Sequence, residues 1–235
     1  MDKTNILYIE TATDVCSVAL SSGDRIVGLK EMAGGNSHAK NLLPFVDEVL
    51  KQAGISMTEV KGVAVSIGPG SYTGLRIGVS TAKGIAYTAG IPVMAVSTLE
   101  SIAQGAKQLW MKSEDSPVQI VPMIDARRME VFTTRFDFNM QPLEEISSKI
   151  VDESTFAELL SEQKVLFCGN GMPKCRELLS AFPKACFEEA PISAQNMLPA
   201  ALRKWRNQEF ENVAYFEPFY LKEYVAAKPV VKGLR

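Results

Sequence analysis

Residues 62–103 carry the sequence GVAVSIGPGSYTGLRIGVSTAKGIAYTAGIPVMAVSTLESIA, and this stretch decides the fold. The apolar run at 62–67 predicts a buried strand, and the Gly-Pro-Gly-Ser tetrapeptide that follows predicts a loop. A long helix and a further strand at Pro92–Val96 complete the unit. Because a helical crossover joins the two strands, we expect them to lie parallel in one sheet.

The long helix of this unit carries small residues at intervals of four. Gly74, Gly78, Ala82 and Ala86 share one face, because residues four apart lie above one another on an α-helix. A face without large side chains lets another group approach the backbone closely. A phosphate, the chain's own sheet and a second protein chain each fit this pattern.

Three strands are predicted before this unit, at Ile6–Glu10, Val15–Ser21 and Arg25–Met32, and the first two form a hairpin. A helix follows them. We expect it to begin near Asn41, because Pro44 then falls in its first turn, where the missing N–H costs no hydrogen bond.

The order of these elements is β-β-β-α-β-α-β, which resembles the half-domain of the actin, Hsp70 and sugar-kinase (ASKHA) superfamily. We therefore predict an α/β protein with a two-lobed actin-like fold, in which each lobe is a mixed sheet with helices. The first lobe is expected at residues 1–104 and contains the two helices described above. The second lobe is expected at residues 105–235 and ends in an extended tail.

Composition restricts the class of protein. The chain has 235 residues, of which 46% are hydrophobic, and this is ample for a core. Its 25 basic and 27 acidic residues give a net charge of −2, which argues against a nucleic-acid-binding protein that works alone. The four cysteines lack C-x-x-C spacing, and no apolar run reaches about 18 residues. With no secretory segment evident, we expect a cytoplasmic protein with reduced thiols and no membrane segment.

Gly68, Gly70 and Ser71 form a candidate anion-binding loop, and Arg76 is the strong positive charge nearest to it. The spacing fails the known phosphate motifs. A P-loop needs Lys after its last glycine, where Leu75 stands here, and a dinucleotide loop needs its third glycine one residue earlier. We interpret the loop as a tight turn that lets helix and sheet pack closely, with a weak anion site as the alternative.

Glu10 and Thr11 stand at the tip of the first hairpin, where active members of the actin-like superfamily carry Asp followed by Gly and Thr. The longer carboxylate weakens a metal-binding role, and the missing glycine weakens a phosphate-binding role. Weak nucleotide binding at this hairpin is the alternative that stays open. Efficient ATP hydrolysis is not expected.

Patterns for catalysis and for metal binding are missing. His38 is the only histidine, so neither an H-E-x-x-H zinc motif nor a histidine-based triad has support, and we interpret it as a residue at a helix start. We expect no catalytic residue, no metal and no cofactor. The charged segment Asp125–Glu130 lies between two predicted strands. A solvated hairpin tip and a partner-facing cluster both stay open for it.

Five stretches together resemble one family. They are ILYIETATDVCSVAL, HAKNLLPFVDEVL, GPGSYTGLRIGVSTAKGIAY, IDARRMEVF and PFYLKEYVA, and the third is the most distinctive. The chain resembles the TsaB (YeaZ) family, which acts in bacterial threonylcarbamoyladenosine synthesis on tRNA. The resemblance covers nearly the whole chain.

The resemblance implies a non-catalytic subunit of the tRNA N6-threonylcarbamoyladenosine transferase complex. Such a subunit forms a heterodimer with its larger relative TsaD, which holds the catalytic site, and the ATPase TsaE and tRNA join through that complex. In TsaD, two histidines four residues apart hold a metal. Thr98 and Ile102 stand at the matching positions here, and neither replaces an imidazole ligand.

The resemblance also places the partner interface on the two helices of the first lobe. The candidate interface residues are Leu42, Val46 and Val49 on the first helix and Gly74, Ile77, Gly78, Thr81, Ala82 and Ile85 on the second. The same surface is expected to form a homodimer when the partner is missing. The alternative function is an independent ATP-dependent enzyme, a small kinase or ATPase of the actin-like superfamily.

Overall fold

The first lobe is a five-stranded sheet with two helices on one face, in a computed structural model that describes residues 4–34, 38–111 and 119–222. Its strands lie in the order β3-β2-β1-β4-β5. The elements are β1 (Asn5–Glu10), β2 (Val15–Ser22), β3 (Arg25–Ala33), α1 (His38–Ala53), β4 (Val60–Ser66), α2 (Tyr72–Ala89) and β5 (Val93–Val96). The first three strands are antiparallel, and β1, β4 and β5 are parallel. The predicted hairpin and the predicted parallel strands are confirmed.

The second lobe is a six-stranded sheet with the strand order β11-β10-β6-β7-β9, and β8 pairs with β6. Helix α3 (Thr98–Trp110) leads into it. Its elements are β6 (Gln119–Asp125), β7 (Glu130–Thr133), β8 (Phe136–Asp137), β9 (Ser147–Ile150), α4 (Ala157–Glu162), β10 (Val165–Cys168), α5 (Met172–Leu179), β11 (Ala185–Glu188) and α6 (Leu198–Asn207). The two sheets with their helices confirm the predicted two-lobed α/β fold.

Strand β1 is buried on both faces, which explains its nearly continuous apolar sequence. Leu7 and Ile9 pack into the core beneath α1 and α2. Ile6 and Tyr8 point to the other face of the sheet and pack with α6. The alternation of side chains along a strand therefore builds two cores from one segment.

Helix α2 has a defined start and a defined end. The Ser71 side chain accepts a hydrogen bond of 3.2 Å from the Gly74 N–H and caps the first turn. Gly90 ends the helix with a φ of 64°, a left-handed conformation that glycine adopts at little cost. These two residues therefore define where the helix begins and ends.

The structure differs from the sequence predictions at several elements, including α1, α3 and β9. Helix α1 already begins at His38, so Pro44 lies inside the helix and not in its first turn, and its ring removes one backbone hydrogen bond. Helix α3 was missed, because the polar residues after position 103 hide its buried stripe of Leu99 and Ile102. Strand β9 was missed because its sequence is polar, as an edge strand allows.

The end of the chain returns to the first lobe. Trp205 of α6 packs so closely on the first sheet that a Cβ on Gly62 would lie 3.0 Å from its ring. Farther along, the Phe219 N–H donates a 2.8 Å hydrogen bond to the Ile67 carbonyl oxygen. The division between residues 104 and 105 stays a prediction, since α3 spans this position. The end of the predicted extended tail, residues 223–235, lies outside the described residues.

Candidate functional site

The glycine face of α2 packs against the tip of the first hairpin. A Cβ on Gly74 would lie 2.1 Å from the Thr11 carbonyl oxygen, and a Cβ on Gly78 would lie 2.2 Å from the Thr11 hydroxyl oxygen. That hydroxyl donates a hydrogen bond of 2.8 Å to the Gly74 carbonyl oxygen. Of the three groups that fit the small-residue stripe, the chain's own sheet is therefore the one that contacts it.

The Gly68–Ser71 loop is also packed against the chain itself. A Cβ on Gly70 would lie 2.4 Å from the Ala12 carbonyl oxygen, and that oxygen accepts a 2.7 Å hydrogen bond from the Ser71 N–H. The Gly68 N–H donates to the Thr98 hydroxyl at 3.1 Å. Two of the backbone donors that would cradle a phosphate thus have partners inside the protein, which supports the tight-turn interpretation.

Glu10 is fully buried at the end of β1. Its Oε1 accepts hydrogen bonds from the Ala12 N–H at 2.6 Å and from the Ser66 hydroxyl at 2.9 Å. Burial raises the pKa of this carboxyl to about 7, although those hydrogen bonds act in the opposite direction. Its Oε2 accepts no hydrogen bond from any residue that the structure describes. Glu10 is therefore an acid that changes charge near neutral pH, set in the core of the first lobe.

His38 is the first described residue of α1, as predicted, and its Nε2 lies 2.8 Å from the Thr13 carbonyl oxygen. Among residues 4–34, 38–111 and 119–222, no group of three or more His, Cys, Asp or Glu side chains could hold a metal ion. In the same ranges, no helix is both long enough and apolar enough to cross a membrane.

Burial raises the pKa of the Cys16 thiol to about 11, so this thiol is a poor nucleophile near neutral pH.

The predicted interface residues divide into two groups. Leu42, Val46, Val49, Gly74, Gly78 and Ala82 are buried within the chain's own first lobe. Ile77, Thr81 and Ile85 are half-buried on the outer side of α2. The apolar stripes of both helices therefore pack against the chain's own sheet, whereas Ile77, Thr81 and Ile85 stay partly accessible at the surface.

An open groove runs along the outer sides of α1 and α2. Its larger part has a volume of about 1140 Å³ and is lined mostly by apolar side chains, among them Leu43, Ile85, Ile91 and Trp205. A smaller part of about 480 Å³ continues past Ile77, and both parts are lined by Leu43 and Thr81. We call this surface, defined by Leu43, Ile77, Thr81, Ile85, Ile91 and Trp205, the two-helix groove.

Leu43 is the interface candidate that sequence reasoning missed. Its side chain is 59% exposed, whereas the neighbouring Leu42 is buried. In the sequence, Leu43 stands beside the apolar stripe of α1 and not on it, and a leucine at such a position is the signal for an exposed apolar side chain. Arg76, on the same side of α2, is exposed, and its guanidinium lies over the Tyr72 ring, 4.9 Å from the ring centroid.

Comparisons with known proteins agree on one family. A family model described as TsaD, tRNA N6-adenosine threonylcarbamoyltransferase, matches residues 31–233. The tRNA threonylcarbamoyladenosine biosynthesis protein TsaB of Escherichia coli (strain K12) is 33% identical over 230 residues, which are 95% of this chain and 96% of that protein. The protein of the same name from Haemophilus influenzae is 34% identical over 69% of this chain and 64% of its own length.

Solved structures give the same result for the fold. A Pseudomonas aeruginosa protein described as similar to the peptidase YEAZ superimposes with a TM-score of 0.79 at 26% identity, over 93% of this chain and 100% of that one. Component A of (R)-2-hydroxyglutaryl-CoA dehydratase from Acidaminococcus fermentans has a TM-score of 0.51 at 14% identity, over 88% of this chain and 99% of its own, and shows the fold alone.

The two sheets, their strand orders and these neighbours define a two-lobed α/β protein with the fold of the YeaZ structures. The close packing of α2 on the hairpin of β1 and β2 distinguishes this site from an open phosphate-binding loop. The chain belongs to the TsaD-related family matched above, and within it to the TsaB proteins of tRNA threonylcarbamoyladenosine biosynthesis.

Proposed function

We propose that this chain is the non-catalytic scaffold and dimerisation subunit of the tRNA N6-threonylcarbamoyladenosine transferase complex, and that it supports the catalytic partner TsaD. The observation that carries the proposal is the two-helix groove. It presents exposed apolar surface on a chain whose own sheet already covers the stripes of α1 and α2. Surface of this kind is typical of protein–protein contacts.

The shape of α2 suits a helical partner. Ser80 and Gly84 are exposed, and they lie between the half-buried side chains of Ile77, Thr81 and Ile85. Small side chains at these positions let a partner helix come close, and the apolar side chains beside them would be removed from water. Such burial contributes roughly 25 cal/mol per Å² before the costs of association are subtracted.

The residues at the metal positions implied by the resemblance favour a non-catalytic role. Thr98 is fully buried, and its hydroxyl accepts the hydrogen bond from the Gly68 N–H. Ile102 is buried in the core between α3 and the second sheet. Neither side chain supplies an imidazole nitrogen, and both are committed to packing. In this proposal the metal and the chemistry belong to TsaD.

TsaE, tRNA and a second copy of this chain are the other partners in this proposal. TsaE and tRNA would bind to the pair formed with TsaD, and not to this chain alone. Without TsaD, the two-helix groove would pair with a second copy of itself, since a two-fold axis brings the same surface patch of two copies together.

A reconstituted transferase assay tests the proposal. Modified tRNA should form when TsaD, TsaE, an activated threonylcarbamoyl donor and this chain are combined, and the yield should drop strongly when this chain is omitted. The chain alone should produce neither modified tRNA nor ADP. Sustained ATP turnover by the isolated chain would instead favour the alternative of an independent ATP-dependent enzyme.

A further inference from the structure

The turn between β6 and β7 carries two consecutive arginines in the left-handed region of backbone conformation. The φ angles are 72° at Arg127 and 50° at Arg128. Residues other than glycine and asparagine rarely occupy this region, and hairpin turns that need it twice usually carry Asn-Gly. Two arginines at such positions are a local conflict between sequence and backbone, and conflicts of this kind concentrate at functional sites.

Surrounding contacts hold this turn in place. The Asp125 carboxylate accepts a 2.8 Å hydrogen bond from the Arg127 N–H and also binds the Lys174 ammonium group. The Lys174 ammonium group in turn donates to the Glu130 carbonyl oxygen at 2.6 Å. Both arginine side chains are exposed, and neither guanidinium forms an ion pair with a carboxylate in the described part of the chain. The turn thus fixes two positive charges at the surface, of which Arg127 is attracted by the nearby Asp125 carboxylate.

Aromatic rings and further cations adjoin this turn. Lys222 donates a hydrogen bond to the Glu130 carboxylate, so the end of the described chain lies beside β7. Two residues earlier, Tyr220 stacks on Tyr72 of α2 with ring centroids 4.8 Å apart. Arg76 lies over the Tyr72 ring in turn. Cations and rings therefore alternate from the first turn of α2 to the β6–β7 turn.

We propose that this surface, made of Arg76, Tyr72, Tyr220, Lys222, Arg127 and Arg128, is where the chain contacts RNA within the complex. The inference rests on the proposed function and identifies the part of this subunit that contacts the tRNA. Arg127 and Arg128 bind phosphate oxygens, and the tyrosine pair stacks against an unpaired base.

An RNA partner fits these residues better than an acidic protein surface. The exposed ring of Tyr220, close to the Arg76 guanidinium through the half-buried Tyr72, provides a stacking platform for a base, which has no counterpart on an acidic protein surface. Asp125 and Glu130 are each bound by a lysine, and Asp125 also attracts Arg127, but the four cations Arg127, Arg128, Lys174 and Lys222 exceed the two carboxylates by two charges. The chain as a whole has a net charge of −2, which agrees with a local contact that acts only as part of an assembly.

The test replaces the charges while it keeps the turn. In the variant Arg127→Asn with Arg128→Gly, the turn receives residues that prefer its backbone, so the melting temperature should stay equal or rise. The complex of this variant with TsaD should bind tRNA roughly tenfold more weakly at about 0.1 M salt, with a shallower dependence of log Kd on log salt by about 1 to 2. Arg127→Lys with Arg128→Lys keeps the charge and should retain most of the affinity.

Control variants test whether the effect depends on where the charge or the ring is lost. Arg25→Gln with Arg206→Gln removes two exposed cations from β3 and α6, away from the proposed surface, and should leave tRNA affinity within about twofold. Tyr220→Ala should weaken tRNA binding by roughly fivefold or more. Tyr215→Ala removes a tyrosine that is 82% exposed nearby in the sequence and should have little effect.

Assembly with TsaD is measured on the same samples. If every variant forms the heterodimer and binds tRNA with wild-type affinity and salt dependence, the RNA surface is wrong while the proposed function stands. If the arginine variant loses TsaE recruitment and keeps tRNA affinity, the surface contacts an acidic protein and the RNA proposal is overturned. If the wild-type chain forms no heterodimer, the proposed function fails, and the RNA surface fails with it.

Discussion

The hydroxyl of Thr11 donates a hydrogen bond of 2.8 Å to the carbonyl oxygen of Gly74 and so joins the tip of the first hairpin to the first turn of α2. This approach requires a helix face without Cβ atoms, because the backbone and side chain of Thr11 occupy the space where Cβ atoms on Gly74 and Gly78 would lie. The small-residue stripe is therefore a requirement of folding in the first lobe. The surface that we propose for a partner lies on the outer side of the helix.

Alanine substitutions on the inner face of α2 should destabilise the protein. Gly74→Ala would place a Cβ 2.1 Å from a backbone oxygen, and Gly78→Ala would place one 2.2 Å from the Thr11 hydroxyl. We expect each to lower the free energy of unfolding by about 1–3 kcal/mol, as overpacked cores do. The loss should be larger at Gly74, because a backbone atom moves away less easily than a side chain. Denaturation in urea measures both values.

Gly84 supplies the matched control on the same helix. It is exposed, and a Cβ there meets nothing within 4 Å. Gly84→Ala should therefore raise the free energy of unfolding by about 0.5–1 kcal/mol, since alanine is the better helix former. Equal effects at Gly84 and Gly74 would show that helix propensity, and not contact with Thr11, governs this face.

Glu10 should make stability depend on pH. Burial raises its pKa in the folded protein to about 7 from the ordinary value of 4.5, so the folded state holds a proton that the unfolded state has released between these two values. The contribution is fully present below about pH 4.5 and is lost as pH rises through about 7, with a total of about 3 kcal/mol. Glu10→Gln has no titrating carboxyl group at this position. The free energy of unfolding of this variant, relative to that of wild type, should therefore increase as the pH rises from 5 to 8.

The comparison uses urea denaturation of both proteins at each pH, because other groups titrate equally in the two. Glu145→Gln, the same change at an exposed position, is the control and should run parallel to wild type. If the difference between Glu10→Gln and wild type does not change with pH, burial does not govern the titration of Glu10.

Lys83 should hold the returning end of the chain against α2. Its ammonium group donates hydrogen bonds to the carbonyl oxygens of Phe216 at 2.9 Å and Ala214 at 3.3 Å. In Lys83→Met, we expect faster hydrogen exchange at the Phe219 N–H, which bonds to Ile67 on the first sheet. Global stability should fall by only about 1 kcal/mol, because one group is lost at a half-exposed site.

Lys61→Met provides the comparison, since Lys61 is an exposed lysine on β4. It should leave exchange at Phe219 unchanged. Unaltered exchange in Lys83→Met would mean that the segment is held by its apolar contacts alone, for example by the buried ring of Phe216.

Much of the first lobe could be predicted because its signals are local. The apolar run of β1 and the residues that begin and end α2 each identify an element without reference to the rest of the chain. Helix α3 and strand β9 could not be found this way. Their polar residues tolerate several local structures, and contacts with distant segments decide among them.

The candidate site shows the same limit more sharply. The stripe of Leu42, Val46 and Val49 fits both packing on the chain's own sheet and contact with a partner, because periodicity reports only that one face of a helix is apolar. It does not say what covers that face, and here the chain's own sheet does. Leu43 is recognised as an interface candidate only from the exposure of its side chain in the folded chain. The burial of Glu10 likewise depends on β4, whose Ser66 hydroxyl donates to the Glu10 carboxylate from 56 positions further along the chain.

The central claim is that the outer side of α1 and α2 binds TsaD, and Leu43 tests it most directly. Leu43→Asp places a charge on a side chain that is 59% exposed, so folding should be preserved. Ile150→Asp makes a comparable change on β9 of the second lobe, where the side chain is 71% exposed. The measurement is the Kd for TsaD, followed by light scattering or sedimentation of the mixture.

We expect wild type and Ile150→Asp to form a heterodimer with TsaD at micromolar concentration, and Leu43→Asp to bind at least about tenfold more weakly. All three should unfold at similar temperatures. A Kd for Leu43→Asp equal to that of wild type, or no heterodimer with wild type at all, would contradict the account.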